Sequence, residues 1–197
     1  MQPLRLDGLN GPLFGIYSAP APGLRHQADL LFVPPFAEEM NRSRRMTKAL
    51  ATRLSATGCS MLNLDLFGTG DSAGEFVDAN LDIWRDDLRR GLAWLTERDA
   101  APIGMVGLGL GALLAMELLA QQPPRLQRIV LWQPVVSGEQ MLTQFLRVLA
   151  VGGGNKATSS AALRTRLAAG EALEIAGYDI FPGQWPCRWT RRGSTSF

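Results

Sequence analysis

The chain has 197 residues, 46% of them hydrophobic and 19% charged, which suits one globular domain with a substantial core. Its net charge of +2 is unevenly spread: residues 181–197 hold Arg188, Arg191 and Arg192 and no acid, and the remainder carries 17 basic residues against 18 acidic ones. Nucleic-acid binding therefore has little electrostatic support, and a single histidine, His26, with two distant cysteines, Cys59 and Cys187, excludes the usual zinc spacings.

Residues 4–18 form two short apolar stretches around Asp7-Gly8-Leu9-Asn10-Gly11-Pro12, the pattern of an antiparallel hairpin. No basic-then-apolar leader precedes them, so a cleaved secretory signal is not expected. A Pro-rich connector leads to residues 28–33, a continuous apolar run that predicts a strand covered on both faces. Residues 39–56 follow as a helix with Met40, Met46, Leu50 and Leu54 on one face and Gly58 as its stop. The unit then repeats. A strand over 60–66 runs into a Gly-rich loop over 67–79, and Asn80 is placed to cap a helix carrying Leu81, Trp84, Leu88, Leu92 and Leu95. A strand over 103–106, a helix over 110–121 stopped by Pro123 and Pro124, and a strand over 128–133 complete the alternation. The expected fold class is α/β, a mostly parallel sheet with helices on both faces and an N-terminal β-hairpin.

Beyond Gln133 the alternation ends. Residues 139–150 and 157–176 read as helical, separated by Gly152-Gly153-Gly154, with no further strand-helix unit. The expected organisation is a core over 1–136, a cap-like helical segment over 137–180, and a tail over 181–197 that is disordered or out of frame. The longest apolar stretch, residues 103–120, contains four glycines and Glu117 and falls short of the roughly 20 apolar residues of a membrane span. A cytoplasmic location is expected, with Cys59 a buried, inert thiol.

Three polar features fall at the C-terminal ends of successive parallel strands, where open α/β sheets bind ligands. They are Pro34-Pro35-Phe36-Ala37-Glu38-Glu39, the loop from Asp65 to Gly74, and Gly107-Leu108-Gly109-Leu110-Gly111. The last matches the nucleophile elbow G-x-S-x-G everywhere except at the nucleophile, which is Gly109. Gly107 and Gly111 suit the close approaches such a turn demands, and the backbone N–H groups of Leu110 and Phe36 are the expected oxyanion donors. The same residues satisfy the dinucleotide fingerprint through Ala112, but the next strand ends at Gln133 without the acid that a ribose requires.

Together these features resemble the α/β-hydrolase superfamily. Within it, the segment from Val33 to Met46 (VPPFAEEMNRSRRM) and the loop from Gly68 to Gly74 (GTGDSAG) are similar to the exosortase A system-associated hydrolases of the second type. The resemblance implies a hydrolase acting on a small-molecule or acyl substrate, an ester or amide, without cofactor or metal. It also implies that the acid and histidine of a Ser-His-Asp triad lie on later strands, beyond the cap in which this chain is expected to stop. His26 precedes the first parallel strand and reads as a connector residue rather than a base.

Candidate groups at the strand-end edge keep two readings. Glu38 and Glu39 serve as acid and base, or Glu38 simply pairs with Arg42 one helical turn on. Arg42, Arg44, Arg45 and Lys48 hold an anionic substrate or are solvated helix charges. Asp71 binds substrate or shapes the turn, and Ser72 is a nucleophile without a histidine to activate it. The alternative to a hydrolase is a binding or scaffold protein that retains an oxyanion pocket.

Overall fold

A computed structural model describes residues 1–35, 37–98, 100–121, 125–135, 141–143, 146–147, 159–171, 173–175 and 178–180. The chain divides into two compact units, Met1–Pro134 and Val135–Phe197.

The first unit is a six-stranded sheet. Strands β1 (Gln2–Gly8) and β2 (Gly11–Ser18) form the antiparallel hairpin, closing on the pair Gly8 and Gly11. Strands β3 (Ala28–Val33), β4 (Cys59–Leu64), β5 (Ile103–Leu108) and β6 (Leu126–Trp132) are mutually parallel, and the spatial order is β1-β2-β4-β3-β5-β6. Helices α1 (Ala37–Ser55), α2 (Leu81–Arg98) and α3 (Leu110–Ala120) connect them. This is the mixed sheet with an opening hairpin expected from the alternation of elements.

Side chains alternate across the strands, so the two faces have separate cores. Phe32, Met61, Val106 and Leu108 pack with Met46, Leu50, Ala51 and Leu54 of α1, and Trp132 joins them from β6. On the other face α2 approaches so closely that a Cβ at Gly91 would sit 2.7 Å from Leu64 Cδ1 and 3.1 Å from Leu31 Cδ1. A glycine inside a helix costs about 1 kcal/mol in propensity, and here the close approach to the sheet accounts for it. All six residues of β5 are buried. By contrast β6, an edge strand among the described residues, leaves Val130 55% and Leu131 40% exposed.

The helix limits follow local chemistry. Asn80 caps α2, its Oδ1 accepting from the Ile83 N–H at 3.0 Å. In the second unit the helix-prone stretch is shorter than expected: α4 (Ser160–Ala168) ends in a Schellman motif. The Gly170 N–H donates to Leu167 O and the Glu171 N–H to Arg166 O, with Gly170 at φ 96°. The chain then forms a small antiparallel pair, β7 (Leu173–Ile175) with β8 (Tyr178–Ile180). These strands replace the last residues of the expected helix. Residues 141–143 and 146–147 are helical; Gly152 to Gly154 and the tail from residue 181 lie outside the described residues. No helix among the described residues is long and apolar enough to cross a membrane.

Candidate functional site

The C-terminal ends of β3, β4 and β5 bring the three polar segments to one edge of the sheet. At the end of β5 the chain turns at Gly109, with φ 56° and ψ −119°, directly into α3. That conformation is strained for any residue with a side chain. The Gly109 N–H donates to Trp132 O at 3.1 Å and its carbonyl accepts from the Ala112 N–H at 3.2 Å, so both backbone groups are fixed. A Cβ at Gly107 would run into the Ala112 Cα, and one at Gly111 into the Val33 and Pro34 carbonyls. The flanking glycines thus have the steric role their spacing implies. Leu110 opens α3, where the first N–H groups have no partner within the helix. Phe36, the other expected oxyanion donor, lies outside the described residues.

Over this turn stands Glu39. A Cβ built on Gly109 would lie 2.6 Å from Glu39 Oε2 and 3.2 Å from its Cδ. Partial burial raises the Glu39 pKa above the ordinary carboxylate value. Its neighbour Glu38 instead points along the helix and pairs with Arg42 Nε at 3.9 Å, both groups being largely exposed. The helix that carries these residues begins at Ala37, which is buried yet has φ 51°, a left-handed conformation costing an alanine about 1–2 kcal/mol.

The loop after β4 is held from several sides. Asp65, 4% exposed, accepts through Oδ2 from the Asp71 N–H at 3.0 Å and from Arg44 Nη2 at 3.5 Å. Gly70 is at φ 56° and its absent Cβ would occupy the place of that carboxylate. Ser72 Oγ donates to the Asp65 carbonyl and accepts from the Phe14 N–H at 2.8 Å, so the hydroxyl is committed to joining loop and hairpin. Asp71 is exposed. Across the loop, the buried Asp87 of α2 accepts from the Phe67 N–H at 2.8 Å, and Trp84 Nε1 donates to Phe67 O at 2.9 Å. Burial raises the Asp87 carboxyl to about 6, against the pull of that N–H.

Asp65 and Arg44 are the residues whose joint placement sequence reasoning missed. The legible signal was an aspartate ending an apolar strand before a Gly-rich loop; its partner on α1 has no local signature. A cavity of about 450 Å³ opens beside Arg44, floored by Ile16, Ala51 and Met61 and flanked by Lys48. Arg42 and Arg45 are exposed on α1.

His26 is at the opposite edge. Its Nε2 lies 3.2 Å from Asp29 Oδ1, and the same oxygen accepts from the Ser60 hydroxyl. Asp29 and Ser60 are fully buried at the start of β3 and β4. Serine, aspartate and histidine therefore meet, but with the carboxylate in the middle, whereas a hydrolytic triad needs the imidazole there. Cys59, beside this cluster, is a free thiol and only half-buried. Among the described residues no group of three or more His, Cys, Asp and Glu side chains is arranged to hold a metal ion.

No curated protein matches the chain in sequence. In structure it is similar to Est1E from Butyrivibrio proteoclasticus, solved with ferulic acid bound (TM-score 0.63, 20% identity, 72% of this chain and 56% of that one). It is also similar to an α/β serine hydrolase without a lid from Xanthomonas campestris (TM-score 0.54, 26% identity, 64% and 59%). A third is a putative hydrolase from Agrobacterium vitis (TM-score 0.58, 17% identity, 91% and 67%). The chain thus spans little more than half the length of the first two. Residues 25–171 match the family of serine aminopeptidases S33, and with the sheet order and the strand-turn-helix at Gly109 this places the chain in the S33 family of α/β-hydrolases.

Proposed function

We propose that the protein hydrolyses an acyl compound, an ester or amide of a small molecule, at the strand-end edge, without a serine nucleophile. The carrying observation is the turn at Gly109. Its backbone keeps the sharp, strained geometry of a nucleophile elbow, and the Leu110 N–H that opens α3 is suited to a developing oxyanion. Arg44, which lines the cavity, suits a polar or anionic part of the substrate better than Arg42, which does not line it. The similarity of the 33–46 and 68–74 segments supports an exosortase- and exopolysaccharide-associated role, in the cytoplasm, with residues 137–180 as the cap-like part.

Incubating the protein with p-nitrophenyl acetate and butyrate tests this reading. Turnover above buffer is expected, with no labelling by a serine-directed fluorophosphonate. A rate equal to buffer rules out hydrolysis of simple esters. The absence of a side chain at Gly109 favours the second reading, a binding protein with an oxyanion pocket; saturable binding of a boronic acid without any turnover would select it.

A further inference from the structure

The volume that a nucleophile's side chain would take at residue 109 is filled by the Glu39 carboxylate, 2.6 Å from the missing Cβ. Among the described residues no hydrogen bond or ion pair engages that carboxylate, whereas three other acids near this edge are engaged. Glu38 meets Arg42, Asp65 meets Arg44 and the Asp71 N–H, and Asp87 meets the Phe67 N–H. Glu39 is an exposed residue, and the partial burial of its carboxyl beside the turn raises its pKa above the ordinary value. Such groups concentrate at sites of proton transfer. Gly109 is the complementary observation: without a side chain it lets the carboxylate approach the turn, and a Cβ there would oblige the Glu39 side chain to shift.

Resting on the acyl-hydrolysis reading, we propose that Glu39 is the catalytic residue of this edge, acting as general base on a water molecule held at Gly109, and that residue 109 is glycine to make room for it. Glu39 Oε2 takes a proton from the water as the water oxygen forms a bond to the acyl carbon. The carbonyl electron pair moves onto its oxygen, which accepts from the Leu110 N–H. When the carbonyl reforms, the bond to the leaving group breaks, and the departing oxygen or nitrogen receives the proton from Glu39. The carboxylate is regenerated, and the products are the acid and the alcohol or amine. No acyl-enzyme forms, so neither a serine nor a histidine is required.

The test compares the full chain with E39Q and G109A on p-nitrophenyl acetate from pH 4 to 9, with far-UV circular dichroism and thermal melting as fold controls. The expected loss of kcat in E39Q is roughly 100-fold or more, the usual range for removing a general base, with melting unchanged or slightly raised. The wild-type rate should rise with pH through a midpoint above the ordinary glutamate value, and the residual E39Q rate should lack that rise. G109A, which leaves Glu39 in the chain but takes its space, should lose a similar factor. Turnover by the wild type with E39Q within threefold of it overturns the role of Glu39 and leaves the hydrolase reading standing. A wild type no faster than buffer removes both. Fluorophosphonate labelling of any hydroxyl in an active wild type overturns the Glu39 mechanism alone.

Discussion

The two edges of the sheet hold polar residues of the same kinds and use them in opposite ways. At the N-terminal edge Asp29, Ser60 and His26 are packed into one another, and the central carboxylate oxygen takes both partners. At the C-terminal edge Glu39 has no partner among the described residues, Ala37 is held at φ 51°, and Asp87 is buried enough to hold its proton up to about pH 6. One Asp29 carboxylate oxygen ties β3 to β4, while its Oδ2 is buried without a hydrogen-bond partner among the described residues; where the strands end, Asp65, Ser72 and Asp87 are bonded, and Glu39 and the left-handed Ala37 stand apart. Residue identity alone would have put the chemistry at the first edge, since serine, histidine and aspartate meet there. The proposed chemistry lies at the second, because the order in which those three groups are connected does not suit a hydrolytic triad.

This contrast carries a sign that mutation can check. Replacing Asp29 by alanine should have the largest effect, a destabilisation of about 2–3 kcal/mol from the lost buried Ser60 hydrogen bond and His26 contact and the space left behind. Urea unfolding of D29A that matches wild type would remove the scaffolding role of this cluster. At the other edge the sign should reverse. The native chain keeps the Asp87 proton between about pH 4 and 6, where the unfolded chain has released it, so at this site stability falls as pH rises through that window and is level above it. D87N, whose amide oxygen still accepts from the Phe67 N–H, should remove that fall. It should gain on the order of 1 kcal/mol over wild type at pH 7 and nothing at pH 4, as read by urea melts at both. The smallest effect belongs to A37G, which relieves the left-handed alanine and should stabilise by about 0.5–1 kcal/mol after the entropic cost of glycine. A loss of stability in A37G would show that Ala37 is packed rather than strained.

Much of the core was legible because its signals are periodic. Continuous apolar runs gave β3 and β5, the spacing from Leu81 to Leu95 gave α2, and Asn80 marked its start. The stretch from Ala157 onward was harder, because alanine-rich helix propensity continues past Gly170 while the Schellman turn there ends the helix. The site was legible in parts. Gly107, Gly109 and Gly111 announced a tight strand-to-helix turn, and the Glu38–Arg42 pair follows from a four-residue spacing. Glu39 over Gly109, Arg44 on Asp65 and Ser72 on Phe14 all span from 21 to 70 residues in sequence. Contacts of that reach arise from the packing of whole elements and leave no local pattern to read.

The glycine turn has a consequence for how such a site can change. Its shape is moulded from outside, by the Val33 and Pro34 carbonyls against Gly111, by Ala112 against Gly107, and by the Trp132 carbonyl on the Gly109 N–H. Nothing in that mould consults the side chain of residue 109. A chain built this way can exchange its central group while the cast around it stays intact, leaving the place above the turn to a side chain arriving from another element, as Glu39 does from α1.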